Sequence, residues 1–377
     1  MNKPLDGIRV LELGTVITGP LAGSLLAEMG AEVIKIERPD GGDPFRSFLG
    51  GLYSPHFQAY NKNKKSVTLD LSQDEGRDAL NDLVRSADVM LDNFRPGVLD
   101  RLGYGDEAVR SLNPDIICCS ITGFGTEGPY SSRPAYEAGA QSIAGIAGLF
   151  VDPAKPRLTG PTISDNVTGM YAALGIMAAL FERERKGVRR RLNVSMLEAS
   201  MAFIPDPFAF ADNDIEVTPT TRVAASQSFA MRCRDGKGLA LHLSSLPKFW
   251  DALCEAIEQD DIRDDPRFAT RALRYENYSV LAERLAEVFV EQDRDAWIER
   301  LSRFDIPFAP INSVQEVAED PQVRHLATFY ESRASDGTEV RSMHCPVWFD
   351  GKRTDPQGAP PMLGEHNDLY IRPPHTK

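Results

Sequence analysis

What this chain has little of already narrows its chemistry. Its five cysteines make no C-x-x-C pair, and no His/Cys cluster has the spacing of a zinc site, so no metal centre is expected. Only Cys118 and Cys119 are adjacent, inside the apolar run DIICCSIT; this fits reduced core thiols and a cytoplasmic protein, not a disulfide framework. No stretch approaches the roughly 20 apolar residues that cross a bilayer. The opening MNKPLDGIRVLELG lacks the apolar run of a signal peptide. Positive charge is also short. Lys and Arg number 42 against 55 Asp and Glu, a net charge of −13, which argues against nucleic acid or an anionic membrane as partner. An anionic small ligand stays compatible, because it responds to local charge. The local exception is NKNKKS at 61–66, which composition reads as a solvated polar turn.

What is present is an alternation. The apolar runs at 8–13, 31–37, 88–94 and 115–122 read as strands. Between them GPLAGSLLAEMG and EGRDALNDLVRSA (75–87) read as helices. The pattern implies an α/β fold with a Rossmann-like parallel sheet, whose ligands collect beyond the carboxyl ends of strands. That rule singles out the loops 14–20, 37–46 and 93–97. Glu37 ends the second strand, where dinucleotide enzymes hold a ribose. The loop glycines are Gly14, Gly19 and Gly23, however, so the G-x-G-x-x-G spacing is missing and a dehydrogenase is disfavoured.

Three regions are expected: a large domain over 1–200, a small α+β domain over 225–325, and a C-terminal segment over 330–377 that returns to the large domain. In the small domain, 229–245 reads as a hairpin turning at Asp235-Gly236. Linkers are expected near 185–225 and 325–345. The Pro- and Gly-rich tail reads as packing along a surface, and His242 and His366 as structural.

GPTISDNVTGMYAALGIMAALFERERKG (160–187) places one acid before a long apolar helix. Met170, Ala173, Leu174, Met177, Leu180 and Phe181 recur at helical spacing and read as one apolar face. Ser164 or Asp165 is therefore placed as the N-cap. The same position favours an ionised carboxylate, which is also a nucleophile. Spacing leaves both roles open.

GIRVLELGTVITGPLAGSLLAEMGAEVIKIERPDGGDPFR, NKNKKSVTLDL, ADVMLDNFRPGVLDRLG, NPDIICCSITGFGTEGPYSSRPAYEAGAQ, the Asp165 helix and APPMLGEHN occur in the order found in family III CoA-transferases. The chain resembles that family over essentially its whole length. The resemblance implies that Asp165 attacks the thioester carbonyl of an acyl-CoA. A mixed anhydride and then an aspartyl-CoA thioester follow, and an incoming carboxylic acid collects the CoA. It implies acyl-CoA and a carboxylic acid as partners, with no permanently bound cofactor. Tyr136 and Glu137 match a pair that orients the nucleophile or shapes the acyl pocket. Thr15, Val16, Arg38, Asn93, Phe94, Arg101 and Leu102 match positions along the CoA path. Arg38 and Arg101 would meet phosphates, with Lys64 a further candidate, while Asn93 and Phe94 would hold the pantetheine arm or adenine edge. The resemblance also implies an interlocked homodimer.

Two departures from the formyl-CoA members are Ile17, where they carry a functional Gln, and a missing Gly-rich flap. Both point to a different acid. An alternative is a 2-methylacyl-CoA racemase, which uses a His-Asp step where this chain reads Tyr136-Glu137; a non-catalytic acyl-CoA binder is a third reading. Donor and acceptor stay open. Phe45, Arg46, Phe48, Tyr53, His56, Phe57 and Tyr60 offer an acid pocket, in which the Arg46 fork would suit a dicarboxylate.

Overall fold

The computed structural model describes residues 3–152, 154–244, 246–353 and 358–371. Of the expected C-terminal segment, 354–357 and 372–377 lie outside the described residues, as do residues 1 and 2 of the opening stretch. Short β-branched and apolar runs form strands here because successive side chains can be buried on opposite faces of a covered sheet. β1 (Arg9–Glu12), β2 (Glu32–Glu37), β3 (Lys65–Thr68), β4 (Val89–Asp92), β5 (Ile117–Thr122) and β6 (Arg191–Ser195) form one sheet in the order β3-β2-β1-β4-β5-β6. Every pairing in it is parallel.

Val10, Val33, Leu91, Ile117 and Cys119 turn to one face. They pack there against Ala22 and Leu26 of helix α1 (Thr18–Glu28) and Ala172 and Ile176 of the helix Ile163–Lys186. Their chain neighbours Leu11, Ile34, Met90 and Cys118 fill the other face with Leu80, Leu83 and Val84 of the helix Asp74–Arg85. Each fully buried aliphatic side chain contributes about 1.5–3 kcal/mol. This is the doubly wound architecture the alternation implies. The strand order reverses between β1 and β4, so the loops that follow them diverge and open a crevice.

Two strands depart from the sequence reading. β6 lies inside the stretch read as a linker, and β3 begins within the lysine-rich stretch, at Lys65. That turn is not solvated. Lys62 and Lys64 are buried, and Lys64 Nζ stands 2.7 Å from Glu12 Oε2, 2.7 Å from the Pro20 carbonyl and 2.9 Å from Asn61 Oδ1. Lys35 pairs with Glu12 and with Asp43, each at 2.9 Å. Glu37 holds Arg46 through two bonds of 2.7 Å. Three acids and three bases are thus buried together, neutral as a set, and the pairing offsets their desolvation. Burial pushes the Lys64 ammonium down to about 8.

The chain divides into two compact units, Met1–Pro205 with Ala327–Lys377, and Asp206–Leu326. In the second, β7 (Ser228–Arg232), β8 (Gly238–His242) and β9 (Phe308–Ile311) form an antiparallel sheet over a core that includes Trp250, Phe268, Phe289 and Trp297. Gly236 takes φ +78° in the β7–β8 turn, a conformation that favours glycine. His242 bonds Ser228 Oγ at 2.9 Å. In the first unit the chain returns along β3. Gly364 N–H donates to Ser66 Oγ (2.9 Å), Thr68 N–H to Asn367 Oδ1 (2.9 Å) and Ser66 N–H to His366 Nδ1 (3.3 Å), which covers the sheet edge. Among the described residues no helix is long and apolar enough to cross a membrane.

Candidate active site

Asp165 occupies the first turn of the helix Ile163–Lys186, whose N-cap residue is Thr162. Spacing assigns the cap to Ser164 or Asp165; the structure gives it to neither. Ser164 Oγ accepts from Ser200 Oγ at 2.8 Å. The cap comes from Glu137, which opens the helix Glu137–Ile143. Glu137 Oε1 accepts from Ile163 N–H (2.7 Å) and Ser164 N–H (2.9 Å), and Oε2 from Asp165 N–H (2.7 Å). Gln141 Nε2 also donates to Oε1. An anion on the unpaired amides of a helix start is the favoured charge there. The carboxyl group of Asp165 is thereby released from capping. Burial, then the charge and hydrogen bond of Glu137, push it up to about 7.

Asp165 lines a cavity of about 180 Å³ at the strand-order reversal. Its walls include residues 15–18 of the loop after β1, 93–96 of the loop after β4, the end of β5, Tyr136 and Met196. Tyr136 is 71% exposed, so it forms part of the wall and not of a core pair. The two loops are braced by Asn93. Its Nδ2 donates to the Thr15 carbonyl (2.7 Å) and Thr18 Oγ1 (2.9 Å), and its Oδ1 accepts from Thr15 N–H (2.9 Å). The amide so engaged holds the loop, and Asn93 stands in the wall of the Asp165 cavity. Val16 takes φ +68°, rare for a β-branched residue, and its N–H donates to both Asp43 oxygens at 3.2 Å.

A second cavity of about 680 Å³ shares Thr15 and Phe94 with the first, and Arg38 and Leu102 line it as well. Thr15, Arg38, Phe94 and Leu102 therefore meet around one space. Arg101 and Lys64 do not join them. Arg101 is exposed on the short helix Val98–Arg101, and Lys64 is sealed against Glu12. Glu37, the candidate ribose acid, is held by Arg46 and by Ser66 Oγ at 2.7 Å. Arg46 cannot hold a second substrate carboxylate. It is fully buried, bound to Glu37 and to the Pro361 carbonyl at 3.2 Å, and stacked 3.7 Å above Phe57.

Two cations in the Asp165 cavity escaped the sequence reading. Arg95 enters that reading only as a member of the loop 93–97 and Arg133 only inside a quoted motif, yet both line the wall. The position of Arg95 directly beyond β4, at the reversal point, is the signal that could have found it.

A profile of CoA-transferase family III matches residues 5–367. The chain is 33% identical to a formyl-CoA:oxalate CoA-transferase of Rhodopseudomonas palustris, over 99% of this chain and 93% of that one. It is 30% identical to a succinate–glutarate CoA-transferase of Agrobacterium fabrum, over 97% and 94%. Among solved structures, a CaiB/BaiF family protein from Brucella suis matches with a TM-score of 0.86 at 29% identity, covering 98% of each chain. The chain belongs to CoA-transferase family III, as an enzyme of the acyl-CoA:carboxylate CoA-transferase type.

Proposed function

We propose that this enzyme moves CoA between carboxylic acids through covalent intermediates on Asp165. The Asp165 carboxylate attacks the thioester carbonyl; the C–S bond breaks and CoA leaves as thiolate, giving a mixed anhydride. The thiolate then attacks the Asp165 carbonyl of the anhydride, which releases the donor acid and leaves an aspartyl-CoA thioester. The acceptor carboxylate reverses both steps. The acyl-transfer free energy of the thioester is conserved throughout, so no ATP is required. CoA enters as substrate, and these steps call for no resident cofactor.

The observation that carries the reading is the division of labour at one helix start: Glu137 caps, and Asp165 faces a cavity. Helix α1 begins in the same wall with no side-chain cap, so its amides and dipole would meet the oxyanion of each tetrahedral step. Gly169 brings the two helices close, since a Cβ there would sit 2.8 Å from the Thr18 carbonyl. CoA would lie along the larger cavity, with Arg38 near phosphate and the pantetheine arm passing Thr15 and Phe94.

A homodimer belongs to this proposal. The Asp165 helix buries Val167, Ala173, Ile176 and Leu180 within its own chain, while Met170, Leu174 and Phe181 stay 57–64% exposed. The single apolar face read from the sequence is thus part buried and part exposed. The exposed stripe would be covered by a second copy. Buried thiols at Cys118, Cys119, Cys233 and Cys254 fit a reducing compartment such as the cytoplasm.

The test is a panel of acyl-CoA donors against carboxylic acids, with products detected by mass. Asp165→Asn should lower kcat by roughly 10³-fold or more. Transfer at wild-type speed in that variant overturns the proposal, and tight CoA binding without transfer across the panel points to a non-catalytic binder. A 2-methylacyl-CoA incubated in D2O should take up no α-deuterium; uptake without an acid acceptor would favour the racemase.

A further inference from the structure

The cavity of Asp165 adjoins a third pocket, of about 510 Å³, through Ile17, which stands in both walls. Thr162, the N-cap residue of the Asp165 helix, closes another side. Phe45, Phe48, His56 and Tyr60 make most of the remaining wall. Their rings form one continuous surface: Phe45 lies 5.4 Å from Phe48, 5.2 Å from His56 and 6.3 Å from Tyr60 between centroids, and Phe48 lies 4.8 Å from His56. Among the described residues no Lys, Arg, Asp or Glu lines this pocket. Arg46, the cation of the same stretch, is turned away into Glu37. Phe48 is 61% exposed, so core packing does not account for an aromatic side chain at that position.

We propose that this aromatic pocket receives the acyl side chain, and that the enzyme prefers bulky apolar monocarboxylates, aryl or branched, over dicarboxylic acids. The inference rests on the Asp165 reading, because a substituent on an acyl carbonyl held against that residue would reach the pocket past Ile17, which both walls share. A second carboxylate entering here would lose its water and meet no Lys or Arg, with the His56 imidazole the one nitrogen base in the wall, whereas an aryl ring meets four rings. Arg95 and Arg133 are the competing feature. They share the Asp165 cavity with Thr15 and Phe94, which also line the wider CoA space, and are absent from the aromatic pocket.

The test separates the pocket from the chemistry by using Asp165→Asn protein, which has no nucleophile, and calorimetric binding of phenylacetyl-CoA, succinyl-CoA and free CoA. Phenylacetyl-CoA should bind about 10-fold tighter than succinyl-CoA or better. Adding Phe48→Ala should erase most of that ratio, and adding Phe48→Arg should turn it towards succinyl-CoA; free CoA reports in each case that the site is folded. Succinyl-CoA binding as tightly as phenylacetyl-CoA in the Asp165→Asn protein overturns the inference and assigns a second carboxylate to Arg95 or Arg133. A ratio untouched by both Phe48 changes overturns the pocket assignment. Neither result depends on an adduct forming at Asp165, so failure here is distinguishable from failure of the covalent mechanism.

Discussion

Glu137 and Asp165 divide one helix N-terminus between them: Glu137 takes the amides of Ile163, Ser164 and Asp165, and Asp165 keeps its carboxyl group for the cavity. Burial and the neighbouring Glu137 charge hold Asp165 at about 7. The nucleophile is the ionised form, so kcat/KM should rise with pH through about 7 and level off above it. Glu137→Gln removes the like charge and should move the acid limb down by about one pH unit. It should also weaken the helix by about 1 kcal/mol. Parallel pH profiles check this; a limb that stays in place would separate the two carboxyl groups.

The same shift makes Asp165 a cost to stability. Its folded pKa of about 7 lies above its ordinary 3.8, so the folded state holds the proton longer. Stability is therefore lost as pH rises from about 4 to 7 and stays lost above. Asp165→Asn should restore it, by roughly 1–2 kcal/mol once partial solvent exposure is allowed for. Denaturant titrations at pH 5 and pH 8 should show a larger gain for the variant at pH 8. An equal gain at both would remove the carboxylate as its cause.

Asn93→Ala should unclip the loop after β1. Three hydrogen bonds go, two of them to the Thr15 backbone. The expected loss is about 1–3 kcal/mol of stability, with a KM for the CoA ester raised roughly tenfold as the loop loses its geometry. Steady-state kinetics beside thermal unfolding would show whether both effects appear.

Lys64→Met separates a structural lysine from a phosphate contact. It leaves Glu12 with Lys35 alone, inside a buried set that was neutral. The account predicts a loss of about 3–5 kcal/mol and a Kd for CoA within twofold of wild type. A large rise in Kd without destabilisation would return Lys64 to the CoA site.

Much of this was legible locally. β1, β2, β4 and β5 announce themselves because each has β-branched or apolar residues on both faces, as a strand between two helical layers must. β3 and β6 do not, since KSVT and RLNVS are short edge strands carrying charge. Lys64 reads as part of a solvated turn and Arg46 as a substrate fork because their neutralising acids, Glu12 and Glu37, are distant in sequence. The Asp165 cap was hidden for the same reason: its acceptor is 28 residues upstream, while capping rules look within one turn. Local pattern places Asp165 at a helix start and leaves its role open; the nucleophile reading comes from the resemblance of the ordered motifs.

The most direct measurement follows oxygen. With an acceptor acid carrying oxygen-18 in its carboxylate, the first turnover should deposit one heavy oxygen on Asp165 and repeated turnover a second, seen by mass in the peptide spanning 158–183. Whenever the labelled oxygen is the one that attacks, it should pass into the acid released in that cycle. A peptide that stays unlabelled after many turnovers, while transfer proceeds, would contradict a covalent Asp165.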